Sequence, residues 1–238
     1  MMGKRLDGRR VLLTGVSRGV GFETAKRFLG EGAKVFGVAK DPARLERASR
    51  ELSALGDFTG LAVDLVSPGA PELLAGATRD RWEGLDILFH NAAILADTGG
   101  AKTFHAEPRG TLERTLDINL LAPFRLTMEL LPQLRRGHEP RIVHVGSGAG
   151  TVEGVTLDGI ASYRLSKWAL HGLTRMLASQ LAGEISVQAF DPGWVKTDLG
   201  GPNAPGSPRE SAEGALAVAT LPFASTGKFW KDGHEIPF

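Results

Sequence analysis

The 238-residue chain has no cysteine, a single tyrosine and a formal net charge of only +1. Without cysteine there are no disulfides, no thiolate catalysis and no cysteine-based zinc site. The near balance of charge leaves no electrostatic footprint for nucleic acid or an anionic membrane surface, so neither is expected as a partner. No apolar stretch reaches the length of a membrane span. Met1 to Arg10 is basic and polar and lacks the apolar segment of a signal peptide, so the expected compartment is the cytoplasm. The six histidines (His90, His105, His138, His144, His171, His234) fall in no ligand spacing. No catalytic metal is expected, and His90 and His144 read as strand residues with local hydrogen bonds.

What is present is ordinary for a globular protein, with 42 % hydrophobic and 23 % charged residues. The length fits one α/β domain over residues 1–238. Val11-Leu12-Leu13 reads as a buried strand running into Thr14-Gly15-Val16-Ser17-Arg18-Gly19-Val20-Gly21, followed by a helical pattern (Phe22, Ala25, Phe28, Leu29) that Gly30 and Gly32 close. The glycines thus lie in a strand-to-helix turn, where a nucleotide pyrophosphate can approach backbone and meet a helix N-terminus. Their spacing is G-x-x-x-G-x-G rather than the commoner G-x-G-x-x-G.

Strands and helices then alternate. Lys34 to Ala39 is a second strand, and Asp41-Pro42 caps a helix with Leu45, Ala48, Leu52 and Leu55 on one face. Leu61 to Asp64 ends a third strand, and a helix runs on to about Trp82. Leu85 to His90, Arg141 to Val145, Ile185 to Phe190 and Lys228 to Trp230 are further strands. Residues 94–110 read as a loop, and one long helix over Thr111 to Arg136 contains Asn119, with a bend expected at Pro123. Helices are also expected over 160–182 and Arg209 to Thr220, with a Gly- and Pro-rich loop at 199–208. This alternation argues a Rossmann-type, doubly wound parallel sheet of about seven strands with helices on both faces. Gly15 to Gly21, Asp64, Asn91, Ser147 and Pro192-Gly193 all fall just past strand C-termini, the ligand-binding edge of such sheets.

The one tyrosine, Tyr163, stands four residues before Lys167, so the two share a helix face. An ammonium held near a phenol favours the phenolate, and the tyrosine is expected to fall from about 10 toward neutrality. Together these residues resemble the short-chain dehydrogenase/reductase family over nearly the whole chain. Thr14 to Gly21 matches its T-G-x-x-x-G-x-G. His90-Asn91-Ala92-Ala93 stands where the family has Asn-Asn-Ala-Gly, departing at the first and last positions. Asn119, Ser147, Tyr163 and Lys167 match the family's Asn-Ser-Tyr-Lys tetrad. The Ser147–Tyr163 spacing is longer than in most members, and with Trp194 to Asp198 and Gly201 to Pro205 it looks most like the carbonyl reductase branch.

The resemblance implies hydride transfer between a nicotinamide and a carbonyl/alcohol pair. Ser147 would bind the substrate oxygen and Tyr163 would exchange its proton. Lys167 would lower the tyrosine pKa and bind the nicotinamide ribose, and Asn119 would hold a relay water. Asp64 with Leu65 matches the segment that meets the adenine. Asn91 and Ala92 keep a strand end, and Pro192, Gly193, Val195 and Thr197 match the segment that holds the carboxamide. Gly15, Ser17, Arg18, Gly19, Val20 and Gly21 form the phosphate turn. The second strand ends in Ala39-Lys40 rather than an acid, so Arg18 and Lys40 favour NADP(H) over NAD(H). Alternatives are an NAD(H)-dependent alcohol or 3-ketoacyl-type enzyme of the same fold, or a non-catalytic dinucleotide sensor. The resemblance also implies a homo-oligomer, dimer or tetramer, acting on a small-molecule substrate.

Overall fold

The computed structural model describes residues 3–96 and 103–238. Positions 97–102 of the expected 94–110 loop lie outside the described residues. The chain begins β1 (Arg10–Thr14), α1 (Gly19–Gly30), β2 (Lys34–Ala39), α2 (Pro42–Ser53), β3 (Phe58–Ala62), α3 (Ala70–Arg81) and β4 (Ile87–His90). It continues α4 (Thr111–Leu116), α5 (Ala122–Leu134), β5 (Arg141–Val145), a short α6 (Val152–Val155), α7 (Ala161–Gln180), β6 (Ser186–Phe190), α8 (Pro208–Ala219), β7 (Lys228–Lys231) and β8 (His234–Ile236).

The sheet order is β3-β2-β1-β4-β5-β6-β7-β8. All neighbours pair parallel except β7 with β8. This is the doubly wound arrangement with eight strands where about seven were expected; the extra one is the three-residue antiparallel edge after β7. β1, β4, β5 and β6 are buried almost throughout, which is why they read as continuous apolar runs. Val11 and Leu13 face one core layer with Phe28, Leu29, Leu45, Leu52 and Leu216 from α1, α2 and α8. Leu12 faces the other with Leu74, Leu126, Leu130 and Leu177 from α3, α5 and α7. Among the described residues no helix is long and apolar enough to cross a membrane.

Local signals explain the helix starts. Asp41 Oδ1 accepts from the N–H of Ala43 (3.0 Å) and Arg44 (3.1 Å), and Ser207 with Glu210 forms a capping box at α8. Three expectations need correction. α2 ends at Ser53, so Leu55 falls off the apolar stripe and is 50 % exposed. β3 ends at Ala62, where its partner β2 ends at Ala39, leaving Val63 and Asp64 beyond the ladder. The long helix is broken by a π-turn at Asp117–Leu121. Pro123 has no N–H to give the carbonyl of Asn119, and the widened turn absorbs this defect.

Candidate active site

A cavity of about 830 Å³ opens along the C-terminal edge of the strands, within the range of small-molecule and cofactor sites. The chain reverses direction across the sheet between β1 and β4, so the crevice lies between their ends. At its floor is the turn before α1. Gly15 has φ +78°, and a Cβ there would stand 2.6 Å from Asn91 Nδ2. A Cβ on Gly21 would press on the Gly15 carbonyl and Asn91 Nδ2. Asn91 holds this packing by donating to the carbonyls of Thr14 (2.9 Å) and Gly15 (3.1 Å). Thr14 Oγ1 in turn accepts from the N–H of Asn91 and Ala92, both at 3.1 Å. The departures at His90 and Ala93 therefore leave the strand-end lock intact.

The N-terminus of α1 has no capping side chain and no acidic residue in its first turn. Its free N–H groups and positive dipole end suit an anion, and the crowded glycines allow a close backbone approach. The residues present thus fit a dinucleotide pyrophosphate.

Toward β2 the cavity wall carries Arg18, Lys40, Asp64 and Leu65. Lys40 Nζ pairs with Asp64 at 2.7 Å, and Arg18 pairs with Asp198. Sequence reasoning overlooked Arg44, whose Nη1 is 3.8 Å from Asp198. Burial, and then the neighbouring Arg44 charge, hold the Arg18 guanidinium below its usual pKa. Both guanidiniums reach the same Asp198 carboxylate, which offsets their mutual repulsion in the cofactor-free protein. The signal for Arg44 was its place in the first turn of a helix starting just past the second strand.

Ser147, Tyr163 and Lys167 line the same cavity. Ser147 lies two residues past the end of β5, with its N–H donating to His171 Nε2 (3.4 Å) and its Oγ accepting from Ala149 N–H (3.2 Å). Lys167 is 2 % exposed and Nζ donates to the Val145 carbonyl at 2.7 Å. The ammonium lies over the Tyr163 ring, 5.5 Å from its centroid, and not at the phenol oxygen. Burial pushes Tyr163 up to about 12, against a lowering by the Ser147 side chain and with a further push from the Asp191 charge. The expected fall toward neutrality is therefore corrected for the cofactor-free protein, because loss of water outweighs the lysine. The ring is only partly covered, so solvent in the cleft softens that rise. Lys167 itself is lowered to about 8 by burial, opposed by Asp191.

Asn119 is also buried beside this group but its side chain is fully engaged. Oδ1 accepts from Ile94 N–H (2.8 Å), while Nδ2 donates to the Ile94 carbonyl (2.9 Å) and Ser166 Oγ (3.0 Å). Its backbone carbonyl lacks the N–H that residue 123 would give it in a regular helix, because that residue is proline. Pro192, Gly193, Val195 and Thr197 line the far wall, and Val195 bridges to Gly206 so that the 199–208 loop folds back over them.

Residues 9–207 match the short chain dehydrogenase family. The rhamnolipid-biosynthesis 3-oxoacyl-[acyl-carrier-protein] reductase of Pseudomonas aeruginosa is 36 % identical over 195 residues, covering 79 % of this chain and 73 % of that protein. The chain belongs to the short-chain dehydrogenase family. It is an oxidoreductase of that family with a dinucleotide-binding Rossmann fold. Carbonyl reductase [NADPH] 1 of Sus scrofa is 28 % identical over 267 residues, covering 92 % of this short-chain dehydrogenase and 89 % of the relative. The solved NADP active-site complex of RhlG from Pseudomonas aeruginosa superposes with a TM-score of 0.86 at 32 % identity, covering 98 % of each chain.

Proposed function

We propose that the chain is an NADP(H)-dependent reductase of carbonyl compounds, with Tyr163 as the proton donor. The observation that carries this reading is the meeting of Ser147, Tyr163 and Lys167 with the open N-terminus of α1 in one cavity. A non-catalytic sensor would need the second feature but not the first. The nicotinamide, when bound, supplies the hydride. Ser147 Oγ orients the substrate oxygen, and the Tyr163 phenol, protonated at neutral pH, passes its proton to that oxygen. Lys167, anchored on Val145, sets its charge over the ring face and would bind the nicotinamide ribose. The turn at Gly15, Ser17, Gly19, Val20 and Gly21 would take the pyrophosphate, and Arg18 and Lys40 of the cavity wall, with Arg44 near Arg18, would hold a 2′-phosphate. Two solved relatives that hold NADP, at 32 % and 27 % identity, support the same preference.

A second reading, reduction of 3-oxoacyl thioesters, is favoured by the 36 % identity to a protein of that name. Oxidation of NADPH with a panel of ketones, aldehydes, quinones and 3-oxoacyl thioesters separates the two. Turnover with any of them supports the reductase reading, and Tyr163→Phe should abolish it while NADPH still binds. No oxidation of NADPH or NADH across the panel refutes the proposal.

A further inference from the structure

The turn that carries Ser147 is seated on α7 by the side chain of His171. That residue stands one helical turn beyond Lys167 and is buried. Its Nε2 lies 3.4 Å from the Ser147 amide nitrogen, and its Nδ1 lies 3.0 Å from the Gly150 carbonyl oxygen. A backbone N–H can only donate and a carbonyl can only accept. The ring is therefore neutral, accepting at Nε2 and donating from Nδ1. Burial, which lowers His171 to about 4, keeps it in that form. The absence of side chains at two glycines lets the turn come this close. A Cβ on Gly146 would press on His171 Nε2, and one on Gly150 would press on the backbone of Lys167 and Trp168.

The other walls of this site are apolar. Phe229 of β7 lies 4.4 Å from the imidazole, and Phe238, just after β8, lies 5.3 Å from it. The two phenyl rings stack at 5.4 Å. The Arg175 guanidinium covers Phe238, 5.7 Å from its centroid, and Val152 N–H donates to the Phe238 carbonyl at 3.4 Å. A leucine would suit such surroundings, and a buried imidazole costs free energy unless its nitrogens are bonded. Both are bonded, and both bonds go to the turn that begins at Ser147.

Ser147 and Tyr163 must meet one substrate oxygen, yet they come from separate elements, the turn after β5 and α7. We infer that His171 is a positioning residue that clasps the Ser147 turn to α7, and so fixes how the serine hydroxyl and the Tyr163 phenol share the substrate oxygen. Phe229 and Phe238 form the outer wall that holds the imidazole in place. The inference rests on the proposed roles of Ser147 and Tyr163.

Three variants test it. His171→Leu removes both bonds and fills an apolar site. His171→Gln keeps an acceptor for the Ser147 N–H. Phe238→Ala leaves the imidazole and removes its cover. Amide exchange of residues 146–150 is followed on the cofactor-free protein, which needs no substrate. Values of kcat, KM and NADPH affinity are then measured with a carbonyl compound that the parent reduces. His171→Leu should speed exchange in the turn about tenfold. It should lower kcat about ten- to a hundredfold, the effect of misplacing a reacting group by about 1 Å, with KM and NADPH affinity kept. His171→Gln should restore most of kcat, and Phe238→Ala should show the same changes in smaller measure. A His171→Leu protein with the parent's exchange and kcat overturns the inference. So does a His171→Gln protein as impaired as His171→Leu, which would mark a packing role alone. If His171→Leu does not fold, Phe238→Ala decides, and parental exchange in its 146–150 turn overturns the inference equally. Failure of the parent to oxidise NADPH would instead refute the proposed function, while the exchange result still decides the clasp.

Discussion

Gly21→Ala tests the packing that shapes the cofactor turn. The new methyl would meet the Gly15 carbonyl and the Asn91 amide nitrogen, and neither is the free end of a flexible chain. Asn91 is held by two hydrogen bonds, to Thr14 and Gly15, and both must lengthen if it retreats. Overpacking of a buried site costs about 1–3 kcal/mol, and weakening each hydrogen bond adds about 0.5–1.5 kcal/mol. Replacing glycine in a helix returns up to about 1 kcal/mol. The net loss should be about 2–4 kcal/mol, read as a lower urea midpoint with an unchanged slope. NADPH should also stabilise the variant less than the parent, because the deformed turn no longer admits the pyrophosphate. Gly172→Ala is the control. It lies exposed within α7 with nothing within 4 Å of an added Cβ, and should gain about 0.5–1 kcal/mol. A Gly21→Ala protein with the parent's midpoint and NADPH affinity would refute the claim that this contact fixes the turn.

NADPH should bind more tightly than NADH, and Arg18→Ala and Lys40→Ala should each erode the difference by about 1.5–3 kcal/mol, the worth of a charged hydrogen bond; equal dissociation constants in the parent would contradict the assignment of these cations. The 199–208 loop, pinned by Lys196 N–H to the Gly206 carbonyl and by Gly206 N–H to the Trp194 carbonyl, should gain amide-exchange protection when NADP(H) binds, and unchanged exchange at saturation removes its role as a lid. Stability should also depend on acid. Burial lowers His90 to about 3 and His171 to about 4, against 6.5 for the ordinary side chain. The unfolded chain binds protons below 6.5 that the native state refuses, so the stabilisation is complete above that pH and is lost as pH falls toward 4. Each histidine contributes a slope of about 1.4 kcal/mol per unit. His90→Gln should flatten the urea midpoint between about pH 6.5 and 5, and an unaltered slope would show that His90 is not buried neutral.

The sheet was legible because its central strands are covered on both faces and so appear as unbroken apolar runs, each followed by a turn residue or cap that acts locally. Asp41-Pro42 is such a signal, and so is the glycine turn after β1. Features that depend on tertiary partners were not legible. The edge strand His234–Ile236 is short and largely exposed, so no hydrophobic alternation marks it. The π-turn arises from a missing donor at Pro123 acting on Asn119, which periodicity does not register. Arg44 and Asp191 acquire their positions from residues far away in the chain, Asp198 for the first and Gly148 with Lys231 for the second.

Tyr163 and Lys167 show where a local rule stops. Four-residue spacing correctly puts them on one face of α7, yet it leaves the direction of the ammonium open. The Val145 carbonyl at the end of β5 claims Nζ at 2.7 Å, which leaves the charge over the ring face and not hydrogen-bonded to the phenol oxygen. Attraction between the two then competes with removal of both from water. Desolvation raises a buried phenol and lowers a buried ammonium, so it moves both groups toward the neutral pair. The result is a phenol near 12 beside a lysine near 8. A protonated phenol suits donation to a substrate oxygen. Proton abstraction in the reverse direction would need an added positive charge near the ring, which an oxidised nicotinamide carries. Phenolate absorbance should therefore appear at lower pH with NADP⁺ bound than in the free protein, and an onset unaffected by NADP⁺ would place the cofactor's charge out of reach of Tyr163.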